Sequence, residues 1–412
     1  MRAIALLLCG AAIATPAGAQ DVKFKPSVDV RLRYESVEQD GPPPLSSGRD
    51  ADALTLRVRT GGELSTGRLS VLGEVEGTLA IAGDYNAFPF ASTSNQRRPE
   101  YPTISDPENI DLNRLQLQYK TKAFTATVGR QRINLDDQRF VGGAAWRQNE
   151  QTFDAVRLEA KLGPVQLDGS YAMSVRTIYG IEARARQAYG GDFVFLNAGV
   201  KQGPVTVKGF AYLLDYDESI VFANSSQTYG IRAVVALPLG KDVKWGLIGS
   251  YARQSDYGRN PTAFAADYAL LEGTLDYAGF KATAGYELLG SDSGANVAFQ
   301  TPLATAHRFN GWADKFLTTP ATGLRDFYAG IGHGWPKLGN MGPLVATFTY
   351  HRFYSDRDKI FYGDEYNAQL TLKVSKRLSA LLKYADYQRN GIASFAGDAD
   401  TQKLWGQLDY AL

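Results

Sequence analysis

Cysteine is all but missing from this chain: its 412 residues hold one, Cys9 in "LLLCG". Past that point no disulfide and no thiolate metal site can form, so stability has to come from backbone pairing and packing. Histidine is nearly as scarce, with His307, His333 and His351 spread far apart. No paired-His spacing and no Gly-x-Ser-x-Gly accompanies them, so no catalytic residue, cofactor or bound metal is assigned. An excess of charge of either sign is missing too, 44 Lys and Arg standing against 43 Asp and Glu. A nucleic-acid partner would ask for a basic excess or stripe, and none is expected. Finally, no run of about 18 apolar residues occurs after residue 20, so no transmembrane helix is encoded. Helical periodicity is hard to find anywhere in that part of the chain.

What the chain does have begins with a leader. "MRAIALLLCGAAIATPAGAQ" carries one positive charge, Arg2, then an apolar run from Ala3 to Ala14, a helix-breaking Pro16 and the small residues Ala17-Gly18-Ala19. This is the pattern of a secretory signal cut after Ala19, so residues 1–19 are set apart and 20–412 are read as one domain. Leu8 stands before Cys9, where a lipoprotein signal would place a small residue. Losing Arg2 leaves the mature chain with equal numbers of basic and acidic residues. Aromatics are abundant (Tyr 23, Phe 20, Trp 5), and a hydrophobic content of 44% must face something.

"RLQLQYK", Arg114 to Lys120, shows what. Leu115, Leu117 and Tyr119 alternate with charged or amide residues, as in a strand with one wet and one apolar face. The pattern recurs from Val28-Val30-Leu32-Tyr34 to Leu404-Gly406-Leu408-Tyr410, eighteen times with two weaker segments near Phe124–Val128 and Phe327–Ile331. Eight short connections, such as Gly163-Pro164, alternate strictly with nine long polar ones, among them 81–109, 133–152 and 290–323. Short turns on one side and long loops on the other are the pattern of a bacterial outer-membrane barrel. The expected fold is therefore all-β, a transmembrane up-and-down antiparallel β-barrel of eighteen strands with both termini on the short-turn side. Leu115, Leu117 and Tyr119 then face lipid, and Arg114, Gln116, Gln118 and Lys120 a watery lumen. Tyrosines closing segments, such as Tyr34, Tyr251 and Tyr410, form interfacial girdles. The expected surroundings are outer-membrane lipid and lipopolysaccharide.

The residues opposite the apolar sets include Arg57 and Arg59. The densest polar cluster is "GRQRINLDDQRFVGGAAWRQNEQTFDAVRLE", Gly129 to Glu159, with Arg130, Arg132, Arg139, Arg147 and Arg157 beside Asp136, Asp137, Asp154 and Glu159. Such guanidiniums could line a path selective for anions, or they could form a balanced ion-pair network that stiffens the wall. With "NIDLNRLQLQY" before it, this stretch resembles the alginate-export family of bacterial outer-membrane porins, in its order of Gly-Arg-Gln, Arg-Phe, Trp-Arg-Gln and Thr-Phe-Asp-Ala. The resemblance implies an eighteen-stranded barrel whose arginine-lined constriction passes a polyanionic uronate or smaller acidic sugars. It carries over Arg130, Arg139 and Arg147, with Arg157 beside them. One departure stands out: the last short turn, "VSKRLS", is tight where alginate exporters have an extended lid. That fits passive uptake better than gated polymer secretion.

One segment conflicts with simple alternation. In "FTATVGRQRI", lipid-facing Phe124 and Val128 would carry Arg130 and Arg132 outward too, at about 2–4 kcal/mol each near the bilayer midplane. A bulge at Gly129, or an inverted reading of the segment, is expected to bring both arginines into the lumen against Asp136, Asp154 or Glu159. Three other readings stay open: a structural or adhesive barrel closed by its long loops, an outer-membrane hydrolase using an isolated histidine, and Ca²⁺ at the acidic loops "GSDSGAN" and "GDADT".

Overall fold

Alternating apolar and polar residues pair here into one antiparallel sheet that closes on itself. The computed structural model describes residues 22–40, 48–391 and 394–412; the expected leader, Cys9 included, lies outside the described residues. Eighteen strands, numbered in chain order, build the wall. The first nine are β1 (Lys23–Asp40), β2 (Ala51–Thr66), β3 (Leu69–Asp84), β4 (Asn109–Lys120), β5 (Phe124–Gln131), β6 (Thr152–Leu162), β7 (Val165–Arg176), β8 (Ala188–Gln202) and β9 (Val205–Tyr216). The rest are β10 (Ser226–Pro238), β11 (Val243–Asp256), β12 (Ala265–Tyr277), β13 (Phe280–Leu289), β14 (Leu324–Trp335), β15 (Leu344–Tyr354), β16 (Phe361–Lys373), β17 (Leu378–Arg389) and β18 (Asp400–Ala411). Each pairs with the next, and β18 closes on β1 from Asp29↔Ala411 to Asp40↔Asp400. Closure leaves no strand edge with unpaired N–H and C=O groups, which hydrocarbon would not tolerate.

The short connections gather on one rim and the long ones on the other. Gly163 and Gly203 allow two of the tightest by taking φ of 62° and 58°, a region glycine enters without steric cost. Several strands overrun the alternating segments that announce them: β1 has 18 residues, about 60 Å along its axis. That exceeds a bilayer core of about 30 Å even when tilted, so its loop-side end stands in water. The outer face is apolar as expected, with Leu115, Leu117 and Tyr119 all exposed. Near the loop side, Tyr34, Tyr171, Tyr251 and Tyr350 each donate a hydroxyl hydrogen bond to an Asp on a neighbouring strand. These pairs mark where the apolar band meets water.

Bulges decide which arginines enter the lumen. Asn113 is left unpaired between Glu74↔Arg114 and Val75↔Leu112. Two successive side chains, Asn113 and Arg114, therefore turn inward, and both reach Glu74, at 2.8 and 2.6 Å. The bulge expected at Gly129 is not there. Both ladders of β5 run through that residue without a register shift. Gly129 instead takes φ 110°, and a Cβ on it would strike the Leu115 carbonyl. Arg130 consequently keeps the parity of exposed Val128, opposite lipid-facing Leu115 and Asp154. Asp154 neutralises it through two hydrogen bonds of 2.7 and 3.0 Å, which makes that face tolerable. The expectation that Arg130 and Asp154 line the lumen is corrected accordingly. Arg132, just past the strand end, does turn inward, to Glu150 and to Glu74 at 3.1 Å.

The loop-side half of the lumen is not open water. Segments 132–151 and 290–323 fold into it, burying Ile133, Leu135, Val141, Phe299, Leu303 and Phe316 against inward aromatics of the wall such as Phe153, Phe195, Tyr212, Tyr268, Tyr362 and Tyr387. A second buried group, with Tyr85, Phe88 and Ile104, seats segment 85–108 over the mouth of β1 and β2. Each such side chain is worth about 1.5–3 kcal/mol, so these loops belong to the fold.

Candidate functional site

Segment 132–151 crosses the barrel as a beam. At one end Asp136 pairs with Lys208 of β9 and Asp137 with Arg232 of β10, the latter at 2.6 Å. Arg139 donates to Glu287 of β13 at 2.8 Å and to Asn310 of the other loop at 2.9 Å. Its guanidinium lies 4.8 Å from the Phe309 ring. At the far end Asn149 accepts from Thr78 at 2.8 Å, and Glu150 accepts from Arg59 at 2.6 Å.

The inner-wall arginines hold this beam by its backbone. Arg31 donates to the carbonyls of Ala145 and Trp146 (3.1 and 3.0 Å), Arg33 to that of Trp146 (2.6 Å) and Arg59 to that of Gln148 (3.1 Å). Arg57, directly opposite Arg31 in the ladder, pairs with Asp29. Arg59 also pairs with Glu76. These residues position the constriction more than they line it.

The two inward loops meet twice. Val141 and Leu303 form a short parallel bridge, with Gly142 N–H donating to the Leu303 carbonyl at 2.8 Å and Thr305 N–H to that of Gln138 at 3.0 Å. A Cβ on Gly142 would strike the Thr305 hydroxyl, which explains a glycine in "VGGAA".

The second meeting point carries the charge. Arg147 donates to Asp314 at 2.9 Å and faces Glu35 at 3.5 Å and Asp106 at 4.0 Å. Asp314 also accepts from Lys403 of β18 at 2.8 Å. His307 lies flat on Trp146, centroids 4.3 Å apart and planes at 6°. Its Nδ1 is 2.7 Å from Asp314 and its Nε2 is 2.7 Å from the Lys383 ammonium of β17. The imidazole is therefore neutral, Nδ1–H donating to the carboxylate and Nε2 accepting from the lysine. Burial pushes its pKa well below the ordinary value, against the pull of Asp314 and together with Lys383 and Arg147. Burial opposes the charge on Asp314, yet His307, Lys403 and Arg147 hold its carboxyl well below the usual range. Lys383 has no ion-pair partner among the described residues; its ammonium lies over Trp146 and Trp312, at 4.1 and 3.8 Å.

Residues 27–181 match the Alginate export family. The match runs from β1 through β7 and includes the whole of the beam. No curated protein matches the chain. Among solved structures, OccK9 (OpdG) of Pseudomonas aeruginosa superposes with a TM-score of 0.70 at 14% identity, covering 94% of this chain and 98% of that one. OccAB3 of Acinetobacter baumannii gives 0.68 at 13%, covering 94% and 99%. The outer membrane protein opdK of Pseudomonas aeruginosa gives 0.68 at 12%, covering 94% and 98%. The fold is that of these outer-membrane proteins.

Of the residues picked out by the alginate-export motif, Arg139 and Arg147 come together with the two inward loops, and Arg130 does not. Arg157 lies nearer the short turns, bound to Asp168 at 3.1 and 2.6 Å and to Glu159 at 3.2 Å. Every one of the five arginines between 130 and 157 has a carboxylate partner. Sequence reasoning passed over Asp314, Lys383 and Lys403, and it read His307 as an isolated histidine. Two of them lie on late strands, and nothing local in the chain marks their convergence. The histidines are also less isolated than expected: His351 is held by Asp326 at 3.0 Å. Neither His307 nor His351 is hydrogen-bonded to a Ser, Thr or Cys side chain among the described residues. In "GSDSGAN", Asp292 is engaged by the backbone N–H groups of Ala265, Gly294 and Ala295 at 3.0, 2.8 and 3.1 Å.

Chambers open on both sides of the contact. A loop-side funnel of ≈ 890 Å³ ends at Arg147, Asp314 and Lys403. A chamber of ≈ 540 Å³ on the turn side ends at Asn310 and Trp312 and carries Arg232 and Arg308 with Glu272, Glu287 and Asp326.

Proposed function

We propose that this barrel is an outer-membrane porin passing hydrophilic anions, uronates or acidic oligosaccharides, after loss of residues 1–19 on export. One observation carries the reading: where the two inward loops meet, Arg147, Lys383 and Lys403 converge beside Trp146, and Lys383 has no ion-pair partner among the described residues. A ring of cations in a narrowed, partly dehydrated passage favours anions. Paired arginines elsewhere keep the field modest, in line with the even charge balance of the mature chain. No nucleic-acid partner is proposed, and the barrel's surroundings would be lipid and lipopolysaccharide. Liposome swelling tests this directly. Proteoliposomes should admit glucuronate faster than glucose of nearly the same size. Equal rates would remove the anion preference, and no swelling with either would favour the loop-closed structural barrel.

A further inference from the structure

The geometry points to a ring-and-carboxylate binding site at Trp146, Arg147, Lys383 and Lys403 that the chain fills with its own His307 and Asp314, a tethered stand-in for a uronate. The idea rests on the anion-channel reading and deepens it.

Three features carry it. First, Asp314 is a carboxylate from a loop, received by cations from elsewhere: Arg147 of the beam at 2.9 Å and Lys403 of β18 at 2.8 Å. Second, His307 and Asp314 are joined at 2.7 Å, and the imidazole lies parallel to the Trp146 indole at 4.3 Å. A flat ring on an indole with a carboxylate beside it, held by a guanidinium and an ammonium, is how a pyranose bearing one carboxylate would be received. Third, the charge is arranged for exchange. When Asp314 leaves, Lys403 has no other carboxylate partner among the described residues, and Arg147 keeps only Glu35 at 3.5 Å and Asp106 at 4.0 Å. A solute carboxylate takes up both vacated contacts.

The carrier segment suits such an exchange. Asn310, Gly311 and Asp314 have φ of 54°, 84° and 60°, left-handed values that cost the non-glycine residues energy unless contacts hold them. Beyond the cation contacts, Glu365 holds the segment through the N–H groups of Trp312 and Ala313. When a uronate takes the place of Asp314, segment 306–314 swings aside, the Trp146 face is bared for the sugar ring and the passage widens. Segment 306–314 is thus a plug that the permeating solute itself displaces.

The test is uronate block of single-channel current in planar bilayers, comparing wild type with Asp314→Asn. With the internal competitor weakened, the sodium glucuronate concentration giving half-block should fall at least tenfold, while acetate gains less than glucuronate and glucose changes little. Adding Lys403→Gln to Asp314→Asn should reverse most of the gain. A wild-type measurement covers the case in which Asp314→Asn does not fold: glucuronate, and not glucose, should speed hydrogen exchange at the Trp312 and Ala313 amides. An unchanged half-block in Asp314→Asn, or unchanged exchange in wild type, overturns the stand-in even if reversal potentials still report anion preference. A cation-preferring wild-type channel overturns the anion-channel reading beneath it.

Discussion

Arg139 offers the sharpest perturbation. It is buried, bound to Glu287 of the wall and to Asn310 of the plug, and it stacks on Phe309. Arg139→Ala leaves Glu287 charged in a buried site, still accepting from Tyr268 at 2.7 Å and from Asn310 at 2.6 Å. Removing one partner of a buried pair costs about 3–5 kcal/mol. The eighteen-strand ladder makes no use of Arg139, so the loss should fall on the docking of the two loops. At about 1.4 kcal/mol per tenfold, loop opening should rise roughly a hundredfold to a few thousandfold. Hydrogen exchange of the Gly142 and Thr305 amides, which bond across the two loops, reads this directly. They should exchange faster by that factor while amides of the barrel ladder keep their protection. Arg139→Met with Glu287→Leu, which removes both charges and keeps volume, should recover most of the loss. Unchanged exchange in Arg139→Ala would refute the view that this pair docks the loops, and an equal loss in the double variant would refute the burial argument.

Three further outcomes follow from the same contacts. The folded-state pKa of His307 is depressed, so the loop-out state takes up its proton more readily. Docking is then complete above the ordinary value of 6.5 and weakens as pH falls below it. Current noise should rise over that window in wild type, and a His307→Asn channel with the same rise would contradict the assignment. Gly129→Ala should lower stability to urea by about 1–3 kcal/mol, since its Cβ meets the Leu115 carbonyl, whereas Gly73→Ala, with only the Leu115 side chain 4.0 Å away, should be close to neutral. Lys383→Gln should shift the reversal potential away from anions more than Arg157→Gln, because Asp168 and Glu159 already neutralise Arg157; the opposite ranking would move the selective ring towards the turn side.

The barrel was legible in the chain because its signal is local and repeated. "RLQLQYK" states its two faces without reference to any other segment, and Gly163-Pro164 or Ala278-Gly279 state the turns. The alternation even located the difficulty at Gly129. It could not say that the extra residue sits one strand away, at Asn113, because a bulge belongs to a pair of strands and its register is fixed by both. The beam was half legible. Its arginines were visible as a cluster, but their partners Glu35, Asp106, Glu287 and Asp314 lie 112, 41, 148 and 167 residues away along the chain or at comparable separations. Whether those arginines were free or paired is a question only the closed barrel answers. His307 and Lys383 met for the same reason, through a loop folding inward over aromatic residues whose alternation in the strands gave no hint that they would be covered.

The central claim is that the loop-narrowed lumen conducts and prefers anions. Planar-bilayer recording of the refolded protein in a KCl gradient tests it most directly. The account predicts discrete channels whose reversal potential has the sign of chloride preference, moderate in size and reduced in Lys383→Gln. Channels with potassium preference, or a correctly folded barrel that conducts nothing, would contradict it.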